Sequence, residues 1–271
     1  MTKICVFTSS RAEYGLLKPL LYRIKKAQEL DLQLLVSGMH LCPEFGMTRS
    51  IIESEGFEIN DAIEMILSSD TPTSTAKSIG LGIIGYADAL SKLGPDYVLT
   101  LGDRYENFAF CATAWTLKIP ILHIQGGEIT TGALDEQYRH CITKLSHFHF
   151  TATEIYRQRV IQLGEQPERV FNVGALNAEV VSTIKILQKE ELSRICNFAI
   201  SKNTIMITFH PCTLDKKPSA VLFRELLQAL DQIKDDHNFI FTKTLADTDG
   251  RVINAMIEQY AAANYSKVMA T

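Results

Sequence analysis

Short apolar runs alternate along the chain with longer stretches whose apolar positions recur every three or four residues. The runs at 4–8, 32–37, 97–101, 119–124, 148–153 and 170–173 read as strands. The segments at 13–26, 43–55, 106–117, 134–145 and 154–163 read as helices between them. Runs such as Ile4-Cys5-Val6-Phe7 and Ile121-Leu122-His123-Ile124 are apolar without alternation, the pattern of strands covered on both faces in a parallel sheet. Leu16, Leu17, Leu20, Leu21 and Ile24 give the first long helix a single apolar stripe. The rhythm therefore predicts βαβ units in an α/β fold built on a parallel sheet.

After Gly174 the pattern changes. A polar helical stretch around 185–194 precedes a second series: strand 205–209, helix 220–234, strand 238–242, helix 250–263 and strand 267–270. A junction is expected within 175–200, giving a first lobe over 1–180 and a second over 181–271. Two or three strands are too few for a doubly wound sheet, so the second lobe reads as incomplete.

Composition narrows the function classes. With 271 residues, 46% hydrophobic and 21% charged, the chain has enough apolar surface for a buried core. A net charge of −4 provides no global positive field for nucleic acid or anionic lipid, so an anionic ligand has to be held locally. The six cysteines lie far apart with no C-x-x-C pair, which signals neither a zinc site nor a disulfide framework and suits a reducing cytosol. No apolar stretch approaches the roughly 18 residues of a membrane span. A cytoplasmic protein without membrane or nucleic-acid partners is expected.

In a parallel sheet, ligands gather beyond the C-terminal ends of the strands, so the segments that follow each strand are the ones to inspect. After the first comes Thr8-Ser9-Ser10-Arg11, where hydroxyls and an arginine precede a helix N-terminus able to favour phosphate. Ser9 and Ser10 fit helix capping equally well. No G-x-G-x-x-G or Walker A pattern occurs here. Next, Gly102-Asp103-Arg104-Tyr105-Glu106 presents a carboxylate that either caps a helix or does chemistry, with Glu106 read as dipole complement or arginine partner.

The richest segment is His123-Ile124-Gln125-Gly126-Gly127-Glu128, followed by Asp135, Glu136, Arg139 and His140. Paired glycines allow close backbone approach, and on the following helix Asp135 faces Arg139 and Glu136 faces His140 at four-residue spacing. His147 and His149 alternate with phenylalanines and read as structural. In the second series His210 closes the first strand, while Asp247 and Arg251 flank a helix start that could hold ribose or phosphate. The run Asp247-Thr248-Asp249-Gly250 lacks the twelfth-position glutamate of a calcium loop.

These same residues resemble the hydrolysing nucleotide-sugar 2-epimerases of sialic-acid biosynthesis. The matching stretches are Ser9–Tyr14, Leu101–Glu106, Gly126-Gly127-Glu128, Asp135-Glu136 with 139–144, 159–165, and Phe209-His210-Pro211. The resemblance implies a GT-B arrangement of two Rossmann-like lobes holding a nucleotide sugar, in a homodimer or higher homo-oligomer, with no metal or nicotinamide cofactor. It also implies conversion of UDP-N-acetylglucosamine to N-acetylmannosamine and UDP. Asp103, Glu128 and Asp135 would share the acid/base work. His210 and Arg11 would hold the diphosphate and aid its departure, and Arg139 and His140 would tune the acids or bind sugar hydroxyls. Asp247 and Arg251 would contact the nucleotide, although Leu245 stands where the family carries asparagine and the chain ends before the family's serine-rich nucleotide loop. The alternatives are the same chemistry on UDP- or GDP-linked 2,4-diacetamido-trideoxy sugars, a GT-B glycosyltransferase, and a non-catalytic sugar-nucleotide binder.

Overall fold

The apolar runs become the central strands of a seven-stranded, fully parallel sheet in the order β3-β2-β1-β4-β5-β6-β7. The computed structural model describes every residue except Ser266 and the side chain of Thr183. The strands are β1 (Thr2–Thr8), β2 (Leu30–Ser37), β3 (Asp61–Ile63), β4 (Tyr97–Leu101), β5 (Ile121–Ile124), β6 (Phe148–Thr151) and β7 (Val170–Asn172). Between them lie α1 (Arg11–Lys26), α2 (Arg49–Ser54), α3 (Pro72–Leu93), α4 (Tyr105–Thr116), α5 (Leu134–Leu145) and α6 (Glu154–Gln162). β7 is followed by α7 (Leu176–Thr183).

Alternate residues of β1 feed two cores. Ile4 and Val6 pack with Leu17, Leu21 and Ile24 of α1, whereas Cys5 and Phe7 pack with Tyr86 of α3 and Phe110 of α4. Phe7 stacks on Phe110 with ring centroids 4.4 Å apart, and such a ring contributes on the order of 2–3 kcal/mol by burial. The chain winds outward from β1 to β3 and then returns to place β4 on β1's other side. The segments leaving β1 and β4 thus diverge, opening a crevice at the switch point.

Two differences from the sequence reading have local causes. Where one helix is expected over 43–55, the chain forms a 3-10 turn, Pro43–Phe45, and then the six-residue α2. Gly46 and Met47 adopt φ of 86° and 47°, which ends any right-handed helix. Conversely α3, the longest helix at 22 residues, was not anticipated, because Gly80, Gly82 and Gly85 interrupt its apolar pattern. Gly85 has a packing reason: a Cβ there would stand 2.4 Å from Ile63 Cγ2 of β3.

The chain forms two compact units, Met1–Ser69 with Thr73–Thr183, and Asp70–Pro72 with Ile184–Thr271. In the second, β8 (Thr204–Thr208), β9 (Asn238–Thr242) and β10 (Val268–Ala270) form a parallel sheet in the order β10-β9-β8. It is preceded by α8 (Lys189–Cys196) and packed by α9 (Ser219–Asp231) and α10 (Gly250–Ala263). Phe223, Phe239, Phe241, Ile253 and Ile257 fill its core. The fold is α/β and GT-B-like, with two Rossmann-like parallel-sheet lobes.

Candidate active site

β4 is followed by Gly102, whose φ of 85° turns the chain so that Asp103 is presented at the sheet edge. Its neighbour Arg104 pairs with Glu106 at 3.2 Å, with Glu106 fully buried, so the second acid of this segment is an arginine partner. β5 is followed by Gln125, a non-glycine residue at φ 64° whose N–H donates to Phe150 O at 2.8 Å. Gly127 follows at φ 83°, and a Cβ there would lie 2.4 Å from Tyr156 O. This close packing delivers Glu128 half-buried at the same edge.

Arg139 joins the two segments. It projects from α5, is 5% exposed, and donates to the Asp103 carboxylate, to Glu128 O at 2.9 Å and to Thr130 Oγ1 at 3.0 Å. Four-residue spacing alone does not reveal that its guanidinium reaches across to Asp103. Glu128 sits within this field. Burial raises its pKa, the Arg139 charge pulls it down, and the Asp103 charge raises it. A half-buried carboxyl biased toward its protonated form therefore stands beside an ion-paired carboxylate, which suits acid and base roles divided between two groups.

Asp135, half-buried in the first turn of α5, raises the phenol of Tyr138 as a secondary influence after burial. Glu136 accepts from Thr130 N–H at 2.7 Å and lies 3.8 Å from His140 Nε2. Burial lowers the His140 pKa against the pull of Glu136. His149 is fully buried with Nε2 3.3 Å from Glu165, and His147 Nδ1 accepts from Ile121 N–H at 3.2 Å. Both histidines are structural.

The hydroxyls after β1 are used internally. Ser10 caps α1 in a reciprocal capping box with Glu13, whose Oε2 also accepts from Ser9 N–H at 2.7 Å and Ser9 Oγ at 2.9 Å. Arg11 is exposed at the first position of α1. Glu13, which the sequence reading passed over although Ser10-x-x-Glu13 is a capping-box signature, has its pKa pushed up to about 7 by burial. Its Oε1 is buried without a hydrogen-bond partner.

These groups meet at the carboxyl ends of the first sheet, and comparison with known proteins gives the arrangement a lineage. Residues 22–270 match the UDP-N-acetylglucosamine 2-epimerase family. The chain belongs to that family. It is 40% identical, over 98% of its length and 68% of the relative's, to a GDP/UDP-N,N'-diacetylbacillosamine 2-epimerase (hydrolyzing) from Campylobacter jejuni. It is 34% identical, over 95% of its length and 68% of the relative's, to a UDP-N,N'-diacetylbacillosamine 2-epimerase (hydrolyzing) from Legionella pneumophila. The UDP-GlcNAc 2-epimerase of Neisseria meningitidis, solved bound to UDP-GlcNAc, superposes with a TM-score of 0.75 at 19% identity, covering 100% of this chain and 72% of that one. The chain spans about two thirds of the length of the curated relatives it matches.

The remaining candidates of this epimerase-family chain lie in the second unit. His210 is exposed after β8. Asp247 and Arg251 are half-buried around the start of α10, where Arg251 N–H donates to Asp70 Oδ2 at 3.1 Å. Asp249 at φ 64° accepts from the Ser219 hydroxyl at 3.1 Å. Among the described residues no cluster of three or more His, Cys, Asp or Glu is placed to hold a metal ion, and no helix is long and apolar enough to cross a membrane.

Buried titratable groups give the first unit a definite acid response. Burial lowers His123 to about 3 and His40 to about 4, so each stays neutral in the fold but takes a proton when unfolded below about pH 6.5. Glu13 acts oppositely: between about pH 4.5 and 7 the fold keeps a proton that the unfolded chain has lost. Two histidines outweigh one glutamate, so from these three groups stability falls on acidification at roughly 1.4 kcal/mol per pH unit, and His149, also lowered, adds to the fall. Glu13→Gln removes the opposing proton, and denaturant unfolding of the variant between pH 5 and 6 should steepen by about a further 1.4 kcal/mol per pH unit. Parallel curves for the two proteins would contradict the protonation assigned to Glu13.

Proposed function

We propose that the chain carries the acid/base centre of a hydrolysing nucleotide-sugar 2-epimerase. The observation behind this reading is the convergence of Asp103, Glu128 and Arg139, from β4, the segment after β5, and α5, at the edge where a parallel sheet receives ligands. The preferred substrate is UDP- or GDP-linked N,N'-diacetylbacillosamine, ahead of the UDP-N-acetylglucosamine that the sequence resemblance first suggested. Support for this order comes from the C. jejuni and L. pneumophila relatives, whose names carry that sugar. The enzyme works in the cytosol as a homodimer or higher homo-oligomer.

The chemistry consumes one water. The C2–H and C1–O bonds break, the nucleoside diphosphate leaves, and a C1=C2 glycal forms. Water then adds hydroxyl at C1 while a proton reaches C2 from the opposite face. A C2–H beside an acetamido group is weakly acidic, so C1–O cleavage runs ahead and builds oxocarbenium character, which a carboxylate stabilises. Asp103 is that carboxylate, and it takes the proton that leaves C2 and later passes it to water. Glu128, biased toward its protonated form, returns the proton, because one rigid group cannot serve both faces of C2. Asp135 assists hydration, and Arg139 and His140 orient the acids and sugar hydroxyls. Arg11, His210, Asp247 and Arg251 hold the nucleotide.

The test is nucleotide release from UDP- and GDP-linked diacetylbacillosamine and from UDP-N-acetylglucosamine in deuterated water, with no acceptor added. Release from the diacetamido sugars with one deuterium at C2 is expected. A product without deuterium at C2 would exclude the elimination route, and cleavage only when an acceptor is present would point to a glycosyltransferase.

A further inference from the structure

His123 is a fully buried side chain in the middle of the sheet, and no role in the chemistry above falls to it. It stands on β5 two residues before Gln125, beside β4 and in register with Thr100. Its Nε2 lies 2.8 Å from Gly102 O. A carbonyl oxygen only accepts, so Nε2 carries the ring proton and Nδ1 is the acceptor. At 3.3 Å from Nδ1 stands the hydroxyl of Thr143, from α5, which supplies the donor. The same ring edge and hydroxyl press on the second loop: a Cβ on Gly126 would stand 3.1 Å from His123 Nδ1 and 3.1 Å from Thr143 Oγ1.

One imidazole therefore grips the residue before Asp103 by a hydrogen bond and sits under the loop that leads to Glu128. Thr143, one helical turn beyond Arg139, locks its tautomer. Resting on the epimerase reading above, we propose that His123 is a positioning residue that sets the separation between the Asp103 and Glu128 carboxyls. It touches no substrate atom. Burial holds the ring neutral, so the donor toward Gly102 persists throughout the working pH range. The adjacent His149 adds a smaller influence in the same direction. Reacting groups need to be held to within about half an ångström, and the imidazole adds a second tie between the two segments beside the bond from Gly102 N–H to Ile124 O at 3.0 Å.

Three variants of the full chain test this. His123→Leu removes both ring nitrogens, His123→Gln keeps an N–H able to reach Gly102 O, and Thr143→Val removes only the hydroxyl. On the accepted nucleotide sugar, His123→Leu is expected to lower kcat by about 30- to 100-fold with KM changed less than about threefold. The glutamine variant should recover to within about fivefold of wild type, and Thr143→Val should lose about three- to tenfold. Titration of Glu128 by carbon NMR reads the geometry without turnover. Its midpoint should fall toward the ordinary glutamate value in His123→Leu, because a displaced loop is better hydrated and farther from Asp103.

Equal kcat per folded molecule in all variants, or an unmoved Glu128 midpoint, overturns the assignment. If wild type releases nucleotide from no sugar, the epimerase reading falls alone, since the titration still decides whether His123 holds the loops. If His123→Leu fails to fold, the same two readouts on Thr143→Val and His123→Gln decide.

Discussion

Glu128→Gln is expected to reduce turnover by about 10²- to 10⁴-fold while leaving folding stability within about 1 kcal/mol of wild type. The amide has the shape of the protonated carboxyl and introduces no new charge at a half-buried position. What it lacks is a transferable proton. The pH dependence follows in sign: an acid whose pKa is raised stays protonated to higher pH, so the wild-type alkaline limb reflects Glu128 losing its proton, and that limb should vanish in the variant. Asp103→Asn should lose turnover to a similar extent but also lose stability, because it breaks the ion pair with Arg139. The pair of variants separates chemistry from scaffold. Near-normal turnover in Glu128→Gln would remove Glu128 from the mechanism.

Arg139→Met is the second large effect and acts on both fronts. The guanidinium is 5% exposed and serves three acceptors from the segments after β4 and β5. Removing one partner of a buried ion pair costs about 3–5 kcal/mol, but Asp103 keeps 23% of its side-chain surface open to water. The expected loss, read by denaturant unfolding at pH 7, is therefore about 2–3 kcal/mol. Activity should change in a second way. The Arg139 charge lowers the Glu128 pKa, so without it Glu128 holds its proton longer and any residual activity extends to higher pH. In Asp103→Asn/Arg139→Met neither charge is stranded, so the double variant should lose less stability than the sum of the two single losses. Strict additivity would mean that the pair contributes no mutual stabilisation.

The parts of this molecule that were legible in its sequence share a physical cause. β1, β2, β4 and β5 are apolar runs because helices cover both faces of the sheet, and the polar residues immediately beyond them mark the ligand edge. That rule singles out Asp103 and Glu128 as candidates, Asp103 equally as a helix cap. α3 was hidden because tight packing on Ile63 requires glycine where helical periodicity would show an apolar side chain. β3, three residues long, carries too few positions for any period to register. The destination of Arg139 was hidden for another reason: four-residue spacing identifies helix neighbours, whereas its actual partner lies 36 positions away in sequence. His123 and Glu13 were hard to read because their roles come from burial and from atoms on other strands and turns.

The segment bearing Glu128 is wedged from two sides. Arg139 of α5 takes Glu128 O, while Arg159 of α6 donates to Gly127 O and Gly127 has no room for a methyl against Tyr156. Just beyond it, Ile129, Thr130 and Thr131 stand in solvent. Substitution is thus channelled: side chains at the tip can change without disturbing the backbone, while Gly127 beneath it has no room for a larger residue.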